Sequence, residues 1–158
     1  MNTQNTQSKI PMKGLVRIEL RDENGNLKDF RIFKNTFMQL GDAHVAARLT
    51  AASATLMGWM AIGTSGTAKT SADTTLNKIL DRNALTAGYP ELQTGGDDND
   101  VKYKATWAAG DGTGAIKEAG IFNSSVAGVM LAASTFAVIN KGANDSLTIV
   151  WTVTCGVS

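Results

Sequence analysis

The nearest approach to a chemical signature is Gly63-Thr64-Ser65-Gly66-Thr67-Ala68-Lys69-Thr70. A phosphate-binding loop reads G-x-x-x-x-G-K-[ST], because its glycines let backbone amides wrap the phosphates while its lysine reaches the terminal one. Here Ala68 stands where the second glycine belongs. No later apolar strand ends in the acidic residue that would hold magnesium, and no βαβ order repeats. The stretch is expected to be a flexible Gly/Thr/Ser loop rather than a nucleotide site. His44, the sole histidine, lies close to Asp42. A general base needs a nucleophile or an orienting partner within hydrogen-bond reach, and no residue is marked out as either, so His44 is read as an ordinary helix residue. Asp97, Asp98 and Asp100 cluster in one turn. Their spacing is not that of a calcium loop, which makes a solvated turn the expectation.

Glycoside hydrolysis would need two converging carboxylates, and Glu118 with Asp111 is the pair the chain offers. Because Glu118 interrupts an apolar segment, its expected role is a salt bridge to a lysine such as Lys104, with an intersubunit contact as the alternative. One histidine and one cysteine cannot build a tetrahedral zinc site. There is no G-x-S-x-G elbow, no H-E-x-x-H motif and no cysteine pair. The basic residues lack the aromatic interleaving that single-strand binders use. These residues nominate no catalytic, cofactor-binding or metal position and no cofactor, so the chain is not expected to be an enzyme.

The elements that would position any site are mostly strands. From Ser146 onward Leu147, Ile149, Trp151, Val153 and Cys155 alternate with Thr148, Val150, Thr152 and Thr154, the two-residue period of a half-buried strand. Cys155 continues the apolar face and is expected to be buried; the alternative is a thiol that pairs between chains. Val16, Ile18 and Leu20 alternate with Leu15, Arg17 and Glu19, and RDENGN then turns the chain into LKDFRIF, with Phe30 and Ile32 on one face. Asn24-Gly25 supplies the positive φ angles of a tight hairpin. Arg17, Glu19, Arg21, Asp29 and Arg31 are expected to form a solvated face with cross-strand pairs. Val101, Tyr103, Ala105 and Trp107 form the apolar side of another strand. In Ala115–Phe122, Ile116, Gly120 and Phe122 are placed on one face and Ala119 and Ile121 on the other, in a central strand. Leu56–Ile62 reads as a buried strand, and residues 71–85 as either a helical turn or an irregular edge.

One helix is expected from about Thr36 to Ser53, opened by a capping box of Thr36 and Gln39 and carrying a stripe of Met38, Val45, Leu49, Ala52 and Leu56. The whole is a mainly β chain: an antiparallel β-sandwich, jelly-roll-like in one version, with one helix at its side or end. At 158 residues there is room for one domain, burying roughly 68–70% of its unfolded surface. Residues 1–11 are polar and without period, expected to be either a disordered tail or a flexible arm that orders on a neighbouring molecule, and 12–158 a single β-rich domain. Fifteen Lys and Arg against fourteen Asp and Glu give a net charge of +1, too weak a field to draw nucleic acid or a membrane. MNTQNTQSKI lacks the apolar core of a signal peptide, so a soluble, intracellularly made product is expected.

Several segments carry a family resemblance: Met60-Ala61-Ile62-Gly63-Thr64, Thr74-Thr75-Leu76, Arg82, Lys104-Ala105-Thr106-Trp107-Ala108, Glu118 to Asn123, Met130-Leu131-Ala132, Asn140-Lys141-Gly142 and Asp145 to Thr152. Together, over about residues 57 to 154, they resemble small virion proteins of tailed bacteriophages. The resemblance implies a capsid decoration (cement) protein, located on the virion surface and made in the bacterial host cytoplasm. Its partners would be the major capsid protein and copies of itself as a trimer or dimer, with no nucleic acid and no membrane. A tail-fibre or baseplate module is the alternative. For a decoration protein, the arm is expected to order on a neighbouring capsid subunit.

Overall fold

A computed structural model of the chain describes residues 11–50, 54–95 and 99–156. Alternation builds the first sheet. In β1 (Met12–Arg21), Val16, Ile18 and Leu20 are buried while Leu15 and Arg17 face solvent, and β10 (Ser146–Cys155) buries Leu147, Ile149, Trp151 and Val153 in the same manner. The two strands pair antiparallel from Met12 opposite Cys155 to Arg21 opposite Ser146. With β2 (Leu27–Lys34), β7 (Asp100–Trp107) and β6 (Glu91–Leu92), they form a sheet of order β2-β1-β10-β7-β6. The second sheet comprises β3 (Thr36–Phe37), β4 (Trp59–Gly63), β5 (Ile79–Ala84), β8 (Gly114–Phe122) and β9 (Met130–Lys141), in the order β3-β9-β8-β4-β5. Ile18, Trp107, Ile149 and Trp151 of the first sheet share one core with Met60, Ile62, Ile116, Ile121 and Ile139 of the second. The molecule is therefore the mainly β, two-sheet antiparallel sandwich its strand patterns predict.

The helix departs from expectation. α1 spans Gln39–Thr50, and residues 51–53 lie outside the described residues. Thr36 is not its cap: Thr36 and Phe37 pair with Ala133 and Ala132, so a strand ladder takes the backbone that the capping box would have used. The helix opens instead at Met38, whose carbonyl accepts the Asp42 N–H at 3.0 Å. It docks through Gly41, where an added Cβ would lie 2.6 Å from the Leu131 carbonyl oxygen. Of the apolar stripe, Met38 is buried and Val45 half-buried, whereas Leu49 is 83% exposed. The first turn and Val45 reach the sandwich, Val45 packing against the main core, while the last turn stands clear of it.

Three local readings are also corrected. At the β1–β2 turn only Gly25 has positive φ, 81°, and Asp22 closes the loop, its carbonyl accepting the Gly25 N–H and its Oδ1 the Asn24 and Asn26 N–H groups. A longer turn with glycine in the left-handed position has replaced the two-residue Asn-Gly form. The flanking charges pair along strands, Arg17 and Arg21 with Glu19 and Arg31 with Asp29, rather than across them. In β8, a register shift against β9 between Ile116 and Glu118 puts Ile116 in the main core with Ala119 and Ile121. Glu118, Gly120 and Phe122 are thereby turned to the outer side. The sequence assignment of 1–11 as an arm falls, except for Pro11, outside the described residues.

The chain crosses between sheets at Asn35, whose Oδ1 accepts the Trp151 Nε1–H at 3.0 Å. Gly14 leaves room for that amide, since a Cβ there would fall 1.4 Å from Asn35 Oδ1. Gly14→Ala is expected to cost about 1–3 kcal/mol through overpacking and loss of the indole bond. Urea denaturation followed by tryptophan fluorescence measures it, and an unchanged midpoint would mean that Asn35 can step aside.

Candidate functional site

Residues 64–78 connect β4 to β5 and run as a strap over the outer side of the second sheet. Leu76 anchors the strap in a second apolar cluster with Met38, Ala61, Phe122, Met130 and Ala133. Gly120 makes space for it, as an added Cβ would be 3.1 Å from Leu76 Cδ2. Farther along, the Ser71 carbonyl accepts the Gln39 N–H at 2.8 Å.

Glu118 fixes the other end. Its Oε1 accepts the Lys78 N–H at 2.7 Å and its Oε2 the Asn77 N–H at 3.0 Å. Lys69 Nζ lies 2.7 Å from the same Oε2, with the side chains of Lys69 and Glu118 only 1% and 0% exposed. The Lys69 ammonium also donates to Asn77 Oδ1. Gly63, opposite Glu118 on β4, is the space the carboxylate occupies: a Cβ there would lie 2.6 Å from Oε1. The lysine of the loop that imitates a phosphate site is therefore aimed into the sheet, and the expected loop of Gly, Thr and Ser is tied down. The salt-bridge partner of Glu118 is Lys69, not Lys104, which sits on the other sheet with Nζ 6.0 Å from the Tyr89 ring centroid. Two nearly dry charges gain strong mutual attraction but lose hydration. Here the two backbone donors satisfy the carboxylate as well, the condition under which such a pair holds.

The other nominated residues are not brought together. His44 Nε2 lies 2.7 Å from the Thr55 carbonyl oxygen, and Asp42 is exposed. Asp111 is exposed in the β7–β8 turn while Glu118 is buried, and Asp97 and Asp98 lie outside the described residues. Among the described residues no group of three or more His, Cys, Asp or Glu is placed to hold a metal ion, and no helix is long and apolar enough to cross a membrane. Cys155, expected to be buried, is exposed: its strand runs past the end of the sandwich, so the inward-pointing position meets a groove instead of a core. That groove, about 690 Å³, is lined by Met12, Phe37, Val45, Ala46 and Leu49 as well. Partial burial and the nearby Asp100 carboxylate both push the thiol up from its ordinary value.

At the β9–β10 turn, Asp145 Oδ2 receives Lys28 Nζ at 2.7 Å and the Gly142 N–H at 2.8 Å. These bonds, Lys28 first, hold its carboxyl below the ordinary value of 3.8. A depressed carboxyl contributes stability above its unfolded pKa, and that contribution disappears as pH falls through the folded value. Asp145→Asn is expected to lower the Tm at pH 7 and to flatten the decline below about pH 4. Parallel loss in both proteins between pH 7 and pH 3 would show that Asp145 has no part in the acid transition.

Among the described residues, no segment covers the outer face of the first sheet. The strand registers set Ile32, Arg17, Val150 and Lys104 in one row across it, with Phe30, Glu19, Thr148 and Thr106 in the next. Leu15, Phe30 and Ile32 are 48%, 43% and 54% exposed. The Arg17 guanidinium lies 5.1 Å from the Phe30 ring centroid. Beside it Arg17, Glu19, Lys104, Thr148 and Val150 enclose a shallow depression of about 260 Å³. The sequence pattern marks Phe30 and Ile32 as sharing a face, and the structure shows that this face points to solvent.

No protein-family model matches the chain, and neither does any curated protein or solved structure.

Proposed function

We propose that this chain is a non-enzymatic virion protein of a tailed phage, one that binds the assembled capsid lattice and stabilises it through the outer face of its first sheet. The observation that carries the reading is the group of large apolar side chains, Leu15, Phe30 and Ile32, held open to solvent on the outer face of the first sheet. Apolar groups gathered on an exposed surface and rimmed by polar residues mark protein contacts. The resemblance of about residues 57 to 154 to phage virion proteins supplies the partner: the major capsid protein, with further copies of this chain alongside. The rim fits that role. Arg17, Lys34, Lys102 and Lys104 give orientation, while the chain as a whole carries only +1, too little to make densely packed copies repel one another. Many identical sites on one shell then turn modest single contacts into stable coverage.

Co-sedimentation with mature capsids lacking this protein tests the reading. Saturable binding in lattice multiples is expected. Recovery only in tail fractions would transfer the protein to the tail-fibre or baseplate class.

A further inference from the structure

The strap holds three side chains whose combined chemistry goes beyond an ion pair. Lys69 supplies a buried amine, Asn77 a carboxamide whose Oδ1 the amine contacts, and Glu118 a fully buried carboxylate. Glu118 Oε2 touches both partners, accepting from Lys69 Nζ at 2.7 Å and from the Asn77 backbone N–H at 3.0 Å. Attack of an amine on a carboxamide is very slow in water. It needs the two groups held together and a proton acceptor in contact with the nitrogen, the conditions under which positioning contributes most. We propose that Lys69 and Asn77 join in an intramolecular isopeptide bond, with Glu118 moving the protons.

The steps balance without any co-reactant. Glu118 takes one proton from the Lys69 ammonium, leaving an amine. Its lone pair forms the Nζ–Cγ bond while the carbonyl electrons move onto Oδ1. When the carbonyl re-forms, the Cγ–Nδ2 bond breaks; a second Nζ proton goes to the departing nitrogen, and the proton on Glu118 follows it. The products are a secondary amide and one ammonium ion, which carries off the charge Lys69 brought, and Glu118 returns to carboxylate. The new amide N–H can take the place of the ammonium beside Oε2. Asn77 is otherwise exposed, which gives the leaving group a path to solvent. The product is a covalent ring closing residues 69–77 over the second sheet. The reaction occurs once per molecule and is independent of the proposed capsid role.

Intact-mass measurement of the purified full-length chain is expected to show a loss of one ammonia. In the trypsin digest, cleavage after Lys69 should be lost, with Lys69 and Asn77 retained in one cyclic fragment. Asn77→Ala, a change at an exposed side chain, and Lys69→Arg should both restore the full mass. Glu118→Gln should also stop the reaction while Asn77→Ala reports that the fold survives without the bond. The proposal is overturned if the wild-type protein keeps its full mass after prolonged incubation. It is equally overturned if the ammonia is lost but trypsin still cuts after Lys69, which would place the loss in an asparagine imide, for example at Asn24-Gly25, and not in a Lys69–Asn77 bond.

Discussion

Glu118→Ala is expected to destabilise the protein by about 3–5 kcal/mol, the cost of leaving a buried ionic group without its partner. The same change leaves the Asn77 and Lys78 N–H groups without their acceptor. A fully buried orphaned donor costs about 1–3 kcal/mol; these two are part-buried and cost less, and their losses overlap the first rather than adding to it. Against a total stability of about 5–15 kcal/mol, the variant would be close to unfolding at 37 °C. Glu118→Gln keeps one carbonyl oxygen and is expected to cost less, about 1–3 kcal/mol. Urea titrations provide the numbers, and limited proteolysis locates the damage: cuts should appear first within residues 64–78. An alanine variant within about 0.5 kcal/mol of wild type would mean that Leu76 and its cluster hold the strap unaided.

The second large effect belongs to the open face. Phe30→Asp with Ile32→Asp should strongly weaken the proposed capsid binding and leave the fold unchanged. Burying a Phe or Ile side chain contributes roughly 1.5–3 kcal/mol, so removing both from a contact would weaken it by about 3–6 kcal/mol, or 10²- to 10⁴-fold. A carboxylate forced into that contact adds a desolvation cost. Since both side chains are about half exposed in the isolated chain, their loss should change folding stability far less. Binding curves at several shell concentrations, with the Tm as control, separate the two effects. If the double variant covers capsids as wild type does, docking uses another surface, and the groove between α1 and Cys155 is the next to test.

Period-two strands were legible because they report only which side of a sheet a residue faces. Val16, Ile18 and Leu20 and the run from Leu147 to Val153 are buried as their alternation requires. Contacts across the fold were less accessible. Glu118 stood out in its apolar segment, but nothing local distinguishes Lys69 from Lys104 as its partner, because the choice depends on which side of the sandwich a long connection crosses. Thr36 and Gln39 satisfy a capping box by spacing, yet β9 offers Thr36 a ladder, and the tertiary pairing prevails over the local one. The Cys155 error has a related cause: alternation gives direction but does not say where the opposite sheet ends. The bare face was half visible. Phe30 and Ile32 were correctly placed together, while their orientation depends on Phe33 packing against the core instead.

The two sheets end up with opposite exteriors: one is roofed by the strap, the other is left open by the described residues. Such a molecule has a front and a back. If copies settle on a shell through the bare side, every copy must present its roof to the medium in the same orientation. The exposed tip of the strap, Gly66 to Ala68, would then become a regularly spaced outward-facing array, so a short peptide inserted there would be displayed over the whole particle. Geometry alone would turn the sidedness of one small sandwich into the outer texture of a capsid.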